Sequence, residues 1–231
     1  MQPNKGFTLV ELLISLSILS MLMFTGSFVY STISNRWDQE LGEFNRHFAE
    51  VRGISLLNKL INGVMPFVIR SSSSGLPSMF FVGKTDSLLA VSHNGIINSE
   101  YPEIFRLTAL KNKNDKFDLV YQAVSSRKIL LLESEQSINF EKSFILLKDL
   151  DSADFEYYGW PDFNSKIDSN FGRNTAQLKW YSEYSGLKNK LTPDVLKIKL
   201  VKDGKVLDIM AILNKSSEKL LQNYLTDEYT K

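Results

Sequence analysis

The sequence predicts an α+β fold, one long N-terminal α-helix packed on a mostly antiparallel, β-rich C-terminal head. Two observations carry that expectation. From Phe7 to about Asn62 the apolar residues form first a continuous run and then a stripe at spacings of three and four, the period of a helix. After Gly75 the pattern changes to short apolar runs at period two, the period of a strand with one buried face. One helix followed by strands joined through tight turns is an α+β arrangement.

The helix begins behind a short polar leader, MQPNK, that runs into Gly6. An apolar run starts at once with Phe7, and Glu11 is its only charged residue before Arg36. Leu12 to Tyr30 is nineteen residues without a charge. At about 1.5 Å per residue this covers a hydrocarbon core of about 30 Å, so it is a candidate membrane span. A cleaved secretory signal has an apolar stretch of roughly 7–15 residues and a small-x-small site. The stretch here is longer, and only Ser27 and its neighbours imitate such a site. A plain membrane anchor accounts for the length, with Glu11 near the headgroups and reaching water. At mid-helix an acidic residue costs about 2.5–3.5 kcal/mol, so a carboxylate this far into an apolar segment asks for a compensating partner.

Beyond the span, Ile33, Trp37, Leu41, Phe44, Phe48 and Val51 continue at helical spacing, followed by Ile54, Leu57 and Ile61. Charged residues fill the other faces, which predicts an amphipathic helix able to pack on a sheet. Gly63 and Pro66 are stop signals. The run from Phe7 to about Asn62 makes a helix on the order of 80 Å long.

Ser71 to Gly75 reads as a short flexible loop. Expected strands follow at Met79–Val82, Leu88–Ser92, Ile104–Leu110, Phe117–Val124, Ile129–Glu133, Phe144–Leu147 and Phe155–Tyr158. Further ones are expected at Gln177–Tyr184, Val195–Val201 and Val206–Leu213. The stretch Asn112 to Asp115 predicts one hairpin. Asp203-Gly204 predicts another, since it suits positions of positive φ. A short helix is expected from Ser216 to Tyr224.

Composition excludes several functions. Lys+Arg 27 against Asp+Glu 26 gives a net charge of +1, which gives no support for nucleic-acid binding. The chain has no cysteine, so thiol catalysis, disulfides and cysteine-based zinc sites are ruled out. No phosphate-binding, dinucleotide or nucleophile-elbow motif occurs, and the expectation is no enzyme, no cofactor and no metal. His93 reads as an exposed turn residue and His47 as a solvated helix residue. The carboxylates Asp149, Asp151, Asp154 and Glu156 have the oxygen chemistry of a calcium site but lack the glycine and closing glutamate of an EF-hand loop. They read as a solvated turn entering a strand, and Asp162 and Asp168 as part of a polar loop. The aromatic residues from Phe155 to Trp160, with Trp180, Tyr181 and Tyr184, read first as sheet packing. The second reading is a partner-contact surface, with Trp160, Trp180 and Tyr181 as candidates, because such residues anchor interfaces.

Lys5, Gly6, the run Phe7-Thr8-Leu9-Val10-Glu11 and the apolar residues to Tyr30 together resemble the class III signal of type IV prepilins. The resemblance implies cleavage between Gly6 and Phe7 by a prepilin peptidase, N-methylation of Phe7 and retention of the helix. Cleavage places an amine on Phe7, about 6 Å along the helix axis from Glu11. In the family this carboxylate pairs with the N-terminal amine of a neighbouring subunit during assembly, which offsets the desolvation of both charges. The implied organisation is a leader at residues 1–6, a transmembrane and assembly half-helix at 7–33, and a periplasmic globular domain at 34–231. That domain comprises amphipathic helix 34–62 and then the head of a pilin-like fold.

The C-terminal half is similar to the J-type minor pseudopilin of type II secretion systems. The shared features are Leu150 followed by Phe155-Glu156-Tyr157-Tyr158, a strand bearing Trp180, and Leu191-Thr192-Pro193 before a final hairpin. The W-type minor pilins share much of this pattern. The resemblance implies a tip and assembly role in a pseudopilus, with other pseudopilins of I, K and G type, the prepilin peptidase and the inner-membrane assembly platform as partners. It also implies contact with membrane lipid before assembly and a single-pass location in a bacterial inner membrane with the head in the periplasm. A minor type IV pilin is the alternative within the family. A membrane-anchored, periplasm-facing binding domain or enzyme is the alternative outside it.

Overall fold

The computed structural model describes residues 8–97, 100–134, 136–173, 177–213 and 216–228. The chain forms two compact units, Met1–Ala49 and Glu50–Lys231. Helix α1 (Leu9–Asn62) supplies the described part of the first unit beyond Thr8 and the opening of the second.

In the first unit the apolar side chains of α1 are exposed, Leu12, Ile14, Phe24 and Tyr30 each by more than half. Its hydroxyls turn inward on the backbone. Ser15, Ser17, Thr25 and Thr32 each donate to the carbonyl four residues earlier at 2.8 Å. Such back-bonding removes the desolvation cost that a free hydroxyl would carry in an apolar medium. The stripe Ile33, Trp37, Leu41, Phe44, Phe48 and Val51, expected to pack on a sheet, is instead exposed. Phe44 and Phe48 stack on each other with centroids 6.3 Å apart. A helical period records that a face is apolar and not what covers it.

In the second unit burial on α1 starts at Gly53 and continues through Leu57, Leu60 and Ile61. A Cβ on Gly53 would lie 2.2 Å from the Leu146 carbonyl oxygen, so the absence of a side chain sets how closely helix and backbone approach. Glu50 adds an ion pair to Lys202 at 3.3 Å. The strands follow as β1 (Val64–Met65), β2 (Val68–Arg70), β3 (Pro77–Met79), β4 (Val82–Gly83), β5 (Ser87–Ser92), β6 (Glu103–Lys111), β7 (Phe117–Ser125), β8 (Lys142–Leu150) and β9 (Ser152–Gly159). After α2 (Phe163–Asn170) come β10 (Lys179–Tyr181), β11 (Tyr184–Ser185), α3 (Gly186–Asn189), β12 (Val195–Lys202), β13 (Lys205–Ile212) and α4 (Ser217–Glu228).

The strands pair antiparallel in three sheets. The largest runs β11-β4-β5-β6-β7-β8 with β1 added beside β5, the second runs β10-β9-β12-β13, and β2 pairs with β3. The main core lies where the inner faces of the two larger sheets meet the end of α1. Phe105, Tyr121 and Leu88 come from the first sheet, Phe155, Tyr157 and Ile198 from the second, and Leu57, Leu60 and Ile61 from the helix. Asp203 and Gly204 both have positive φ, 48° and 73°, and Lys202 pairs with Lys205. The β12–β13 hairpin therefore has the two-residue turn its sequence predicts.

Several local expectations change. Ile129–Glu133 forms no strand, only an isolated bridge from Glu133 to Arg70. Its apolar side chains Ile129 and Leu131 join a second core with Ile69, Phe80, Val91, Ile104 and Val124, so they are buried without ladder pairing. Met79–Val82 divides into β3 and β4, because the bulky Phe80 and Phe81 enter different cores. Gln177–Tyr184 likewise divides, β10 pairing with β9 and β11 with β4. The polar stretch holding Asp162 and Asp168 contains α2, whose N-cap is Asp162 accepting from the Ser165 amide. On α2, buried Lys166 binds Asp194 and Glu218, each at 3.2 Å. This ties α2 and α4 to the approach of β12. Strands β1 and β2 and helix α3 were not expected, being too short to show a period.

Candidate functional site

The candidate site of processing and assembly is the start of α1. Gly6 and Phe7 lie outside the described residues, and Glu11 occupies the first turn. Its carboxylate is engaged by its own helix end. Glu11 Oε2 accepts from the Thr8 backbone amide at 3.2 Å and from Thr8 Oγ1 at 3.3 Å, and the Glu11 amide donates to Thr8 Oγ1 at 3.3 Å. This is a reciprocal capping box, in which a Thr and a Glu three residues later satisfy each other's otherwise unpaired backbone donors. The carboxylate also sits at the positive end of the helix dipole. Thr8 is thus the structural partner of Glu11, which the resemblance alone did not single out. The spacing Thr8-x-x-Glu11 was the signal that could have found it.

The rest of the site is the apolar face that follows. Among the described residues one helix is long and apolar enough to cross a membrane. Its apolar side chains from Leu9 to Val51 are exposed, and four of its hydroxyls are bonded back to the helix. Such a segment presents mostly hydrocarbon to its surroundings.

The aromatic candidates of the head divide between two faces. Trp180 and Tyr181 are neighbours on β10, so they point to opposite sides of the sheet. Trp180 is 47% exposed, packs on Tyr158 with centroids 5.2 Å apart, and has the Lys197 ammonium 5.8 Å from its ring centre. The register aligns Trp180 with Tyr158, Val195 and Ile212 across four strands, so an apolar row crosses the outer face. Tyr181 is half-buried and meets Tyr184 edge to face at 5.7 Å; burial pushes its hydroxyl pKa up. The half-buried Trp160 lends its carbonyl oxygen to the Tyr184 hydroxyl at 2.8 Å.

The other polar candidates have structural partners. Asp151 binds Lys116 at 3.2 Å and Glu156 binds Lys197 at 3.1 Å, while Asp149 accepts from Asn112 at 3.0 Å. Among the described residues no group of three or more His, Asp or Glu side chains is arranged to hold a metal ion. His47 and His93 are exposed, the latter in the bend after β5. Burial, then the bond to Glu103, pushes the Tyr121 hydroxyl far above its ordinary range. Glu103 accepts it together with the amides of Ile96 and Ile97, each at 3.0 Å. That buried cluster holds the backbone at Ile96 and Ile97 against β6.

Residues 1–26 match the model of the prokaryotic N-terminal methylation motif. The chain therefore carries a type IV prepilin-like N-terminus, and the motif with the exposed apolar helix fits a single-pass membrane anchor. A search of curated proteins finds no match to this chain.

Proposed function

We propose that the protein is a non-enzymatic minor pseudopilin of a type II secretion system, acting in tip formation and assembly of the pseudopilus. The observation that carries this reading is the methylation motif over residues 1–26, with Glu11 in the first turn of an exposed apolar helix. In this reading a prepilin peptidase cuts between Gly6 and Phe7, Phe7 is N-methylated, and the helix holds the chain in the inner membrane until assembly. The head lies in the periplasm and contacts pseudopilins of I, K and G type. The force comes from a cytoplasmic ATPase acting through the inner-membrane platform. The similarity of the C-terminal half to J-type subunits supports the minor slot, as does the absence of cysteine, which excludes the disulfide-bounded region common in major pilins.

The slot is tested by quantifying this chain against the main subunit in isolated filaments. A tip role predicts a small substoichiometric amount. Abundance equal to the main subunit rules the tip role out.

A further inference from the structure

One end of the outer face of the largest sheet is covered. There the second core, with Ile129, Ile138 and Phe140, packs over β5, β6 and β7. Beyond that cover the face opens into a groove of about 550 Å³, within the roughly 300–1,000 Å³ typical of ligand sites. The register lays a row of five side chains across its floor: Val82, Leu89, Arg106, Gln122 and Ser143. A neighbouring row places Thr108 beside Val120, and Leu110, half exposed, extends the apolar floor.

The charges of the groove are one-sided. Its cations are Lys84 and Arg106, and no carboxylate among the described residues lines it. Nor does any described carboxylate pair with either cation. Arg106 is held in place without being neutralised. Its Nε donates to Gln122 Oε1 at 3.0 Å, and its guanidinium carbon lies 4.7 Å from the centre of the Phe140 ring. A guanidinium oriented by a ring and an amide is prepared for a planar anion such as a carboxylate, which it can bind through two parallel hydrogen bonds.

We propose that this groove binds an extended polypeptide segment of another protein, in which every second side chain faces the groove and these are a carboxylate flanked by branched apolar residues. The carboxylate pairs with Arg106, with Lys84 as the second cation, and the apolar side chains cover Leu89, Leu110 and Val120. An extended chain places every second side chain on one face about 6.5–7 Å apart, so the carboxylate and the apolar residues that meet the groove lie two positions apart in the ligand. The aliphatic floor favours a peptide over a glycan or a nucleic acid, since among the described residues no aromatic ring lines it for a sugar or base to stack on. The site is separate from the methylation motif and does not depend on the assembly role.

The test uses the full chain in neutral detergent micelles, methyl-labelled at leucine and valine, titrated with a short peptide in which leucine, glutamate and leucine occupy alternate positions with serine between them. The expected result is saturable shifts confined to Leu89, Leu110, Val120 and their neighbours, weakening with added salt. The affinity should fall at least ten-fold in the double variant Lys84→Glu, Arg106→Glu. Arg106→Gln serves in the same comparison if charge reversal disturbs the fold. The same peptide with lysine in place of glutamate should leave these methyls unmoved. The proposal is overturned if no saturable binding occurs up to millimolar peptide, if shifts fall on α1 instead, or if the variants bind as tightly as the parent. Tighter binding at these methyls by a soluble short-chain phosphatidylglycerol would also overturn it, assigning the groove to a lipid headgroup.

Discussion

Thr8 and Glu11 cap each other: the threonine hydroxyl and amide donate to the carboxylate, and the glutamate amide donates back to the hydroxyl. The pair gives Glu11 a local role in starting α1, alongside the charge pairing that its position in a prepilin-like motif implies. A glutamine serves a capping box as a glutamate does, but it carries no charge. The two roles are therefore separable.

Glu11→Gln should leave the helix start intact, with insertion and N-terminal processing as in the parent, while incorporation into filaments falls steeply. Thr8→Ala should do the opposite, costing about 1 kcal/mol of cap stability and leaving incorporation largely in place. Incorporation of Glu11→Gln at parental levels, measured by immunoblotting of sheared filaments, would show that capping is the whole role of this carboxylate.

Gly53 should be intolerant where Gly42 is tolerant, although both lie on α1. A Cβ at Gly53 meets a backbone oxygen at 2.2 Å, whereas at Gly42 nothing lies within 4 Å. Gly53→Ala should destabilise the head by about 1–3 kcal/mol, as overpacking does. Gly42→Ala should be neutral or stabilising by up to about 1 kcal/mol from helix propensity. Urea unfolding of the full chain in detergent, followed by tryptophan fluorescence, checks both. Equal stabilities of Gly53→Ala and the parent would contradict the close packing of α1 on β8.

The turn between β8 and β9 should loosen in acid. The bond from Lys116, and then that from the Gly204 amide, holds the Asp151 carboxyl below its ordinary value, and Lys116 is raised mainly through the same bond to Asp151. A depressed carboxyl stabilises the fold above its unfolded value, near pH 4, and that contribution is lost as pH falls through the folded value. The raised Lys116 acts at the other end. Its contribution is complete below its ordinary value of 10.5 and is lost as pH rises through the folded one. The protection of the Gly204 amide against exchange, taken relative to its intrinsic rate at each pH, should fall on acidification in the parent, where its N–H reaches Asp151 Oδ2 at 3.4 Å, and show little such dependence in Asp151→Asn. Identical acid profiles in the two proteins would remove Asp151 from the account.

Much of the fold was legible because its signals are local. The long helix announced itself by its apolar run and stripe, and the β12–β13 hairpin by Asp203-Gly204 between alternating strands. What was not legible depends on partners distant in sequence. Leu131 is as apolar as any strand residue but is buried by Ile69 and Phe80, without a ladder. The eight residues from Gln177 to Tyr184 look continuous, yet Tyr181 pairs with Tyr157 in one sheet and Tyr184 with Gly83 in another. Of the candidate site, the methylation motif over residues 1–26 was legible because it is contiguous. Arg106 was not, since its setting is made by Gln122 and Phe140, which only the sheet brings alongside.

The central claim is that the N-terminus is a processed, methylated assembly helix, and the mass of the mature chain tests it most directly. Intact-mass and N-terminal peptide spectrometry of the protein from the native membrane should find residues 1–6 removed and a monomethylated Phe7. In Gly6→Leu, or in a strain lacking its prepilin peptidase, the full-length unmethylated chain should accumulate. A parental chain that keeps Met1 through Gly6 while assembling normally would contradict the account.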